Sequence, residues 1–384
     1  MLSRDELAAW LRLATTPGIG RGLARQLLAA FGSPERVLAA DGHALRALAG
    51  ADVVGVLKRR DPRDEAALAA TLHWLETAEA GSPRDIVTLG DPRYPALLLE
   101  TADPPLLLFT LGRVELLSAP GVAIVGSRDA TPQGLENART FAQLISEHQL
   151  TVVSGLAQGI DGAAHEGGLA GAGSTVAFVG TGLDRVYPSS HRPLMRRIAR
   201  DGLVASEYPL GTSALPHNFP RRNRLIAGIT RGTLVVEAAL ESGSLITARM
   251  ALEEGRDVFA IPGSIHSPQS RGCHRLIQEG AKLVETGDDV LRELRFGFPS
   301  EARRAALSPA QPSLFAVAAS PAAEVGGPDG ALRAALGHDP VTFDVLAART
   351  GLPPDQLAAR LLELELMGVV QRLPGGLLQR HAVA

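Results

Sequence analysis

Cysteine is almost missing from this sequence, since Cys273 is the only one in 384 residues. That excludes an intramolecular disulfide framework and any zinc or iron–sulfur site built from several cysteines, and it fits a reducing cytoplasm. Lysine is nearly as scarce: Lys58 and Lys282 leave 36 of the 38 basic residues as arginine. A compositional bias towards arginine and alanine explains this without function, so a phosphate-gripping role for any one arginine needs local support. Net charge is also small, at −3 from 38 basic and 41 acidic residues, so a nucleic-acid site has to be a local patch rather than a global field. No stretch offers about 18 uninterrupted apolar residues, and the first ten positions carry Arg4, Asp5 and Glu6 without an apolar signal core. A cytoplasmic protein with no membrane association is the expectation.

What is present is apolar material, 45% of the chain against 21% charged, enough for a sizeable core. At about 150 residues per domain the length suggests two to three domains. Residues 1–80 read as short helices. Leu7, Leu11 and Ala14 keep helical spacing, Thr15-Thr16-Pro17-Gly18-Ile19-Gly20 breaks it, and Leu23, Leu27, Leu28 and Phe31 resume it. Such a break fits either a helix-hairpin-helix whose amides hold a phosphate or a packed helix pair, and the segment's ten basic and ten acidic residues do not decide between them.

Residues 83–300 read as strand–helix alternation. Val122 to Val125, Thr151 to Val153, Thr175 to Val179, Leu203 to Ala205, Leu234 to Val236 and Val258 to Ile261 are short apolar runs, each followed by a turn and a helical pattern. Strands apolar throughout belong in a sheet covered on both faces. The fold class is therefore α/β, a Rossmann-like, doubly wound, mostly parallel sheet, with Ile86 to Leu89 and Leu106 to Phe109 as its lead-in. Residues 301–328, rich in Ala, Pro, Ser and Gly, read as a flexible linker. Residues 329–384 show helical patterns at Ala331 to Leu336, Thr342 to Thr350 and Pro354 to Met367, then a candidate hairpin from Val369 to Gln379. That is the pattern of a winged helix. Its five arginines and six acids between Asp329 and Arg380 leave groove reading and protein–protein contact both open.

In a doubly wound sheet, ligands sit beyond the carboxyl ends of the strands. The loops there are rich in small residues: Gly126-Ser127-Arg128, Ser154-Gly155 with Gly159, Gly180 and Gly182, and Ser242-Gly243. Such loops let phosphate oxygens approach the backbone. The first lacks the G-x-G-x-x-G order of a dinucleotide site, and a P-loop is missing, so neither NAD, FAD nor a bound nucleoside triphosphate is expected as cofactor. Asn218-Phe219-Pro220-Arg221-Arg222-Asn223-Arg224 is the most informative stretch: four arginines and no acid lie between Pro216 and Arg231. Guanidinium groups beside an aromatic face suit single-stranded nucleic acid. No catalytic set emerges. Asp161 and His165, at i, i+4, read as a helix N-cap and a packed core residue. Cys273 lies at a helix start, which would lower its pKa, but has no partner, and no histidines show metal-ligand spacing.

Val125-Gly126-Ser127-Arg128, Ser154-Gly155-Leu156-Ala157 with Gly159-Ile160-Asp161 and His165, Phe219-Pro220-Arg221-Arg222-Asn223-Arg224, Val236-Glu237-Ala238 with Ser242-Gly243, and Val258-Phe259-Ala260-Ile261-Pro262-Gly263 together resemble the DNA-processing protein A family, over about 120 to 290. The flanks agree, since members often carry an N-terminal module of the sterile-alpha-motif or helix-hairpin-helix kind and a C-terminal winged helix. The resemblance implies a cytoplasmic bacterial protein that binds and protects incoming single-stranded DNA in natural transformation, helps load the recombinase RecA, forms a homodimer through the Rossmann-like domain and has no catalytic activity. It assigns DNA contact to Arg128, Phe219, Arg221, Arg222 and Arg224, with Ser127, Ser154, Gly155 and Asn223 lining the same pocket. The lysines that some members place around the pocket are not evident. The alternative is a nucleotide-processing hydrolase on a related fold, of which Thr230-Arg231-Gly232-Thr233-Leu234-Val235-Val236-Glu237 is a distant echo without the Pro-Gly-Gly turn.

Overall fold

The computed structural model describes residues 2–59, 61–295, 332, 335–336 and 340–380. The chain divides into two compact units, Met1–Gly263 with Pro268–Gly297, and Ser264–Ser267 with Phe298–Ala384. Helices α1 (Arg4–Thr15), α2 (Arg21–Phe31), α3 (Pro34–Ala39), α4 (Gly42–Ala49), α5 (Ala51–Lys58) and α6 (Pro62–Glu76) open the first unit. Their starts follow the local chemistry. Ser3 and Glu6 form a capping box on α1, while Ser33, Asp41 and Asp61 accept amide hydrogens at the starts of α3, α4 and α6.

The sheet contains β1 (Arg84–Thr88), β2 (Leu107–Gly112), β3 (Gly121–Val125), β4 (Thr151–Ser154), β5 (Thr175–Phe178), β6 (Leu203–Ser206), β7 (Gly232–Val235), β8 (Asp257–Ala260) and β9 (Lys282–Leu283), in the order β1-β2-β6-β5-β4-β3-β7-β8-β9. Strands β3 to β9 pair in parallel, and the lead-in runs add β1 and β2 as an antiparallel edge. Interleaved are α7 (Ala96–Leu99), α8 (Pro132–Glu147), α9 (Ile160–Gly168), α10 (Arg192–Asp201), α11 (Asn218–Ile229), α12 (Gly243–Glu253), α13 (Arg271–Gln278) and α14 (Gly287–Glu293).

Alternation within β3 shows how both faces are filled. Val122 and Ile124 join Phe141, Ile145 and Ala163 from α8 and α9, whereas Ala123 and Val125 join Leu225, Ile226, Ala248 and Leu276 from α11, α12 and α13. The strands are apolar on both sides because helices cover both sides. A further core joins the N-terminal helices to the sheet: Trp10, Leu13, Leu27 and Trp74 cluster with Ile86, Leu107, Phe109 and Val204. The α1–α2 break is docked too, since Arg21 donates to Asp103 at 2.6 Å and to Glu207 at 3.1 Å.

In the second unit a helix over Phe343–Thr350, capped by Thr342, ends at Gly351 with φ of 64°, and a helix over Pro354–Leu366 follows. Strands β10 (Val341–Thr342), β11 (Val370–Leu373) and β12 (Leu377–Arg380) pair in the order β10-β12-β11, so the expected hairpin is the wing of a winged helix. Leu346, Leu357, Leu361, Val370 and Leu378 pack with Leu332 and Leu336. The remainder of the Ala331 to Leu336 pattern, and the whole of the 301–328 linker, lie outside the described residues.

Candidate nucleic-acid interface

Strand β3 pairs with β4 on one side and with β7 on the other, which makes it the point where the winding of the sheet reverses. The loops leaving β3 and β7 part there, and open α/β sheets take ligands into that gap. A cleft of about 650 Å³ occupies the position. Gly126, Ser127 and Arg128 line it from the β3 loop, and Ser242, Gly243 and Ser244 from the start of α12. The β3 loop is pinned in place: the Ser127 amide donates to the Glu237 carbonyl at 2.7 Å, and the Ile160 amide donates to the Ser127 carbonyl at 3.1 Å.

Helix α11 supplies the rest, and its periodicity sorts the arginine-rich segment. Phe219, Arg222, Asn223 and Ile226 stand at i, i+3, i+4 and i+7, share one face and all line the cleft. Arg221 is exposed and does not line it. Arg224 points elsewhere: it is bonded to Glu207 and lies 3.5 Å from Asp103, in an ion cluster with Arg21 and Arg25. The sequence segment thus sends Phe219 and Arg222 to the cleft lining, with one solvated and one internally paired arginine beside them.

Arg128 is exposed, with its guanidinium carbon 5.7 Å from the centre of the Phe219 ring, within cation–π range. On Phe219 also leans Tyr187, with ring centres 5.3 Å apart and planes tilted by 42°. Tyr187 is 48% exposed. It was not singled out from the sequence, although Val186-Tyr187-Pro188 follows β5 in one of the loops where ligands are expected. Phe219 belongs to none of the hydrophobic cores, so an aromatic pair and a cation are held at the cleft without a packing duty that would explain them.

The cleft floor is a buried network. Arg222 is 3% exposed and its Nη1 donates to the Phe178 carbonyl at 2.6 Å. Burial pulls its pKa down to about 10, opposed by the charge of Asp161. Asp161 is not the N-cap of α9; Gly159 is, with φ of 77°, because a Cβ there would stand 2.5 Å from the Arg128 carbonyl oxygen. Asp161 instead accepts from the amides of Gly155 at 3.1 Å and Ala157 at 3.3 Å. Burial raises its carboxyl pKa, while the Arg222 charge and those amides oppose the rise. Gly155 lies beneath Arg222, where a Cβ would come 2.5 Å from the guanidinium carbon. His165 is packed and hydrogen-bonded as expected: the Leu156 amide donates to Nε2 at 3.2 Å, Nδ1–H donates to Thr175 Oγ1 at 2.7 Å, and Thr175 donates on to the Val152 carbonyl. Burial lowers its pKa to about 3, so it is neutral, and with Nδ1–H given to Thr175 and Nε2 taken by the Leu156 amide neither ring nitrogen is turned to Asp161.

Several residues expected to meet phosphate serve the protein instead. Ser154 is fully buried and donates to the Ile124 carbonyl. The Gly182 amide donates to the Thr212 carbonyl at 3.1 Å. At Gly180 a Cβ would lie 3.2 Å from the Phe219 ring, so glycine there makes room for the aromatic. Cys273 also departs from expectation. Its thiol is buried and donates weakly to the Val235 carbonyl, and burial pushes its pKa up to about 12. It should therefore resist a maleimide in the native protein and react after unfolding in urea; rapid native labelling would contradict the burial.

An arginine–aromatic crevice at the switch point of a doubly wound sheet, carried in one chain with a winged helix, defines an α/β protein equipped for nucleic acid. The chain belongs to the DNA recombination-mediator protein A family: that family's model matches residues 85–295, and the model of the DprA winged helix domain matches residues 316–376. It is 40% identical over 311 residues to Protein Smf of Escherichia coli K12, covering 80% of this chain and 79% of that one. Among solved structures it is similar to DNA processing protein A from Streptococcus pneumoniae, with a TM-score of 0.60 and 39% identity over 78% of this chain and 99% of that one. It is also similar to DNA processing protein A from Helicobacter pylori, whose structure describes a single-stranded DNA binding mode, with a TM-score of 0.51 and 28% identity over 55% and 95% of the two chains.

Proposed function

We propose that this protein binds single-stranded DNA in the switch-point cleft, acts as a homodimer through its sheet domain, protects incoming strands in natural transformation and hands them to RecA. The observation that carries the binding is the Arg128–Phe219–Tyr187 group, a half-buried ring between an exposed cation and an exposed ring, lining the cleft at the carboxyl ends of the strands. Bases stack on the aromatic faces without regard to sequence, while Arg128 and the N-terminus of α12 meet phosphate. The single-strand binding of the Helicobacter pylori relative supports the choice of ligand. The cytoplasm is where incoming strands and recombinase meet, and no described helix is long and apolar enough to cross a membrane.

The role is binding rather than catalysis. A nucleotide hydrolase of the related kind needs the carboxylate of the Thr230 to Glu237 stretch free in the cleft. Glu237 instead accepts from the amide and hydroxyl of Thr131, at 2.9 and 2.6 Å, and does not line the cleft. Oligo-dT titrations test the proposal. Log affinity should fall linearly with log salt, by about 0.7 per phosphate neutralised, and a single strand should compete better than a duplex of equal length. Binding that prefers duplex, or ignores salt, would contradict it.

A further inference from the structure

The switch-point cleft is poor in positive charge. Its arginines, Arg128 and Arg222, face three carboxylates, Asp129, Asp161 and Glu241, and Arg222 is buried. That suits bases better than a run of phosphates. Tyr187 and Ala214, however, belong both to this cleft and to a second one of about 870 Å³ beside it. The second is lined by Arg84, Arg185, Arg192, Arg196 and Arg200 against only Glu79 and Asp184.

Helix α10 sets this groove's geometry. Leu194, Met195, Ile198 and Ala199 are buried and fix one side of the helix to the protein. Arg192, Arg196 and Arg200 recur every fourth residue on another side, about 6 Å apart along the axis. Some of the groove's arginines have structural work. Arg84 donates to the Trp74 carbonyl at 2.7 Å, and Arg200 is bonded to Asp201. Arg192 and Arg196 are exposed and make no ion pair or side-chain hydrogen bond among the described residues. Two charges with no internal partner thus line a groove continuous with the aromatic site.

We propose that this groove is a second DNA subsite: a strand whose bases stack at Phe219 and Tyr187 continues past Tyr187 along α10, where Arg192 and Arg196 hold its phosphates. The inference rests on the reading of the first cleft as a single-strand site. Phosphate contacts of this kind add affinity in proportion to the length of strand they reach and are lost to salt, whereas stacking at the first cleft is complete on a short strand.

The experiment compares the full chain with its Arg192→Gln/Arg196→Gln form on oligo-dT of about 5 and about 20 nucleotides, near the lower end of the usual single-strand site sizes and beyond the upper end. The double variant should bind the short strand as the parent does. It should lose about tenfold on the long strand, with a salt slope shallower by about 1.4. Arg197→Gln, on the same helix but outside the groove, should change neither. Equal losses on both lengths, or an unchanged long-strand affinity, overturn the second subsite and leave the first cleft standing. A parent chain that binds neither strand overturns both.

Discussion

Phe219→Ala should weaken oligo-dT binding about 5- to 150-fold, the loss of about 1–3 kcal/mol that removal of a stacking platform brings. The ring has two exposed-side neighbours, Arg128 at 5.7 Å and Tyr187 at 5.3 Å, and takes part in no hydrophobic core. Helix α11 stays anchored by Leu225, Ile226, Ala227 and Ile229, which are buried in the sheet's core. The effect should therefore fall on affinity while the thermal midpoint changes little. Phe219→Trp should keep most of the binding, because it keeps a π-face. Arg128→Ala should also weaken binding, and the double variant should lose less than the two separate losses combined, since Arg128 and Phe219 contact each other as well as the strand. Undiminished binding by Phe219→Ala would remove stacking from the account.

Arg222→Met should cost stability rather than affinity alone, by about 3–5 kcal/mol, the usual consequence of removing one partner of a buried charged pair. The guanidinium is 3% exposed, holds the Phe178 carbonyl and offsets the buried charge of Asp161. The sign of the pH effect follows from Asp161. Burial raises its folded pKa above the unfolded value, so the folded state binds more protons between the two and stability falls as pH rises through that window. Without Arg222 the folded pKa rises further, so the variant's deficit should be large at neutral pH and shrink as the medium is acidified towards about 4. Asp161→Asn should rescue part of the loss at neutral pH. Urea midpoints at several pH values check this, and a deficit independent of pH would show that Asp161 is not the group left uncompensated.

Most of the architecture was legible because its signals are local. Apolar runs such as Val122 to Val125 and Thr175 to Val179 become β3 and β5 nearly to the residue, and the small-residue turns behind them become the walls of the cleft. The roles of individual side chains depend on three-dimensional neighbours and were less so. Arg221, Arg222 and Arg224 read as one cluster in the sequence, but a helix turns 100° per residue, so Arg222 enters the floor, Arg221 faces solvent and Arg224 meets Glu207. Asp161 sits where an N-cap is expected, yet the unpaired amides of Gly155 and Ala157 are better served by its carboxylate. Cys273 stands in the first turn of α13, but burial outweighs the helix end. Tyr187 joins the site only because β5 and α11 lie side by side, a proximity that no spacing along the chain encodes.

Photocross-linking tests the central claim most directly. Oligo-dT carrying 5-iodouracil, irradiated on the full-length protein and mapped by mass spectrometry, should attach to peptides containing Phe219 and Tyr187, and the Phe219→Ala form should lose that attachment. Cross-links confined to the winged helix, with the Phe219 and Tyr187 peptides unmodified, would place the strand elsewhere and contradict the account.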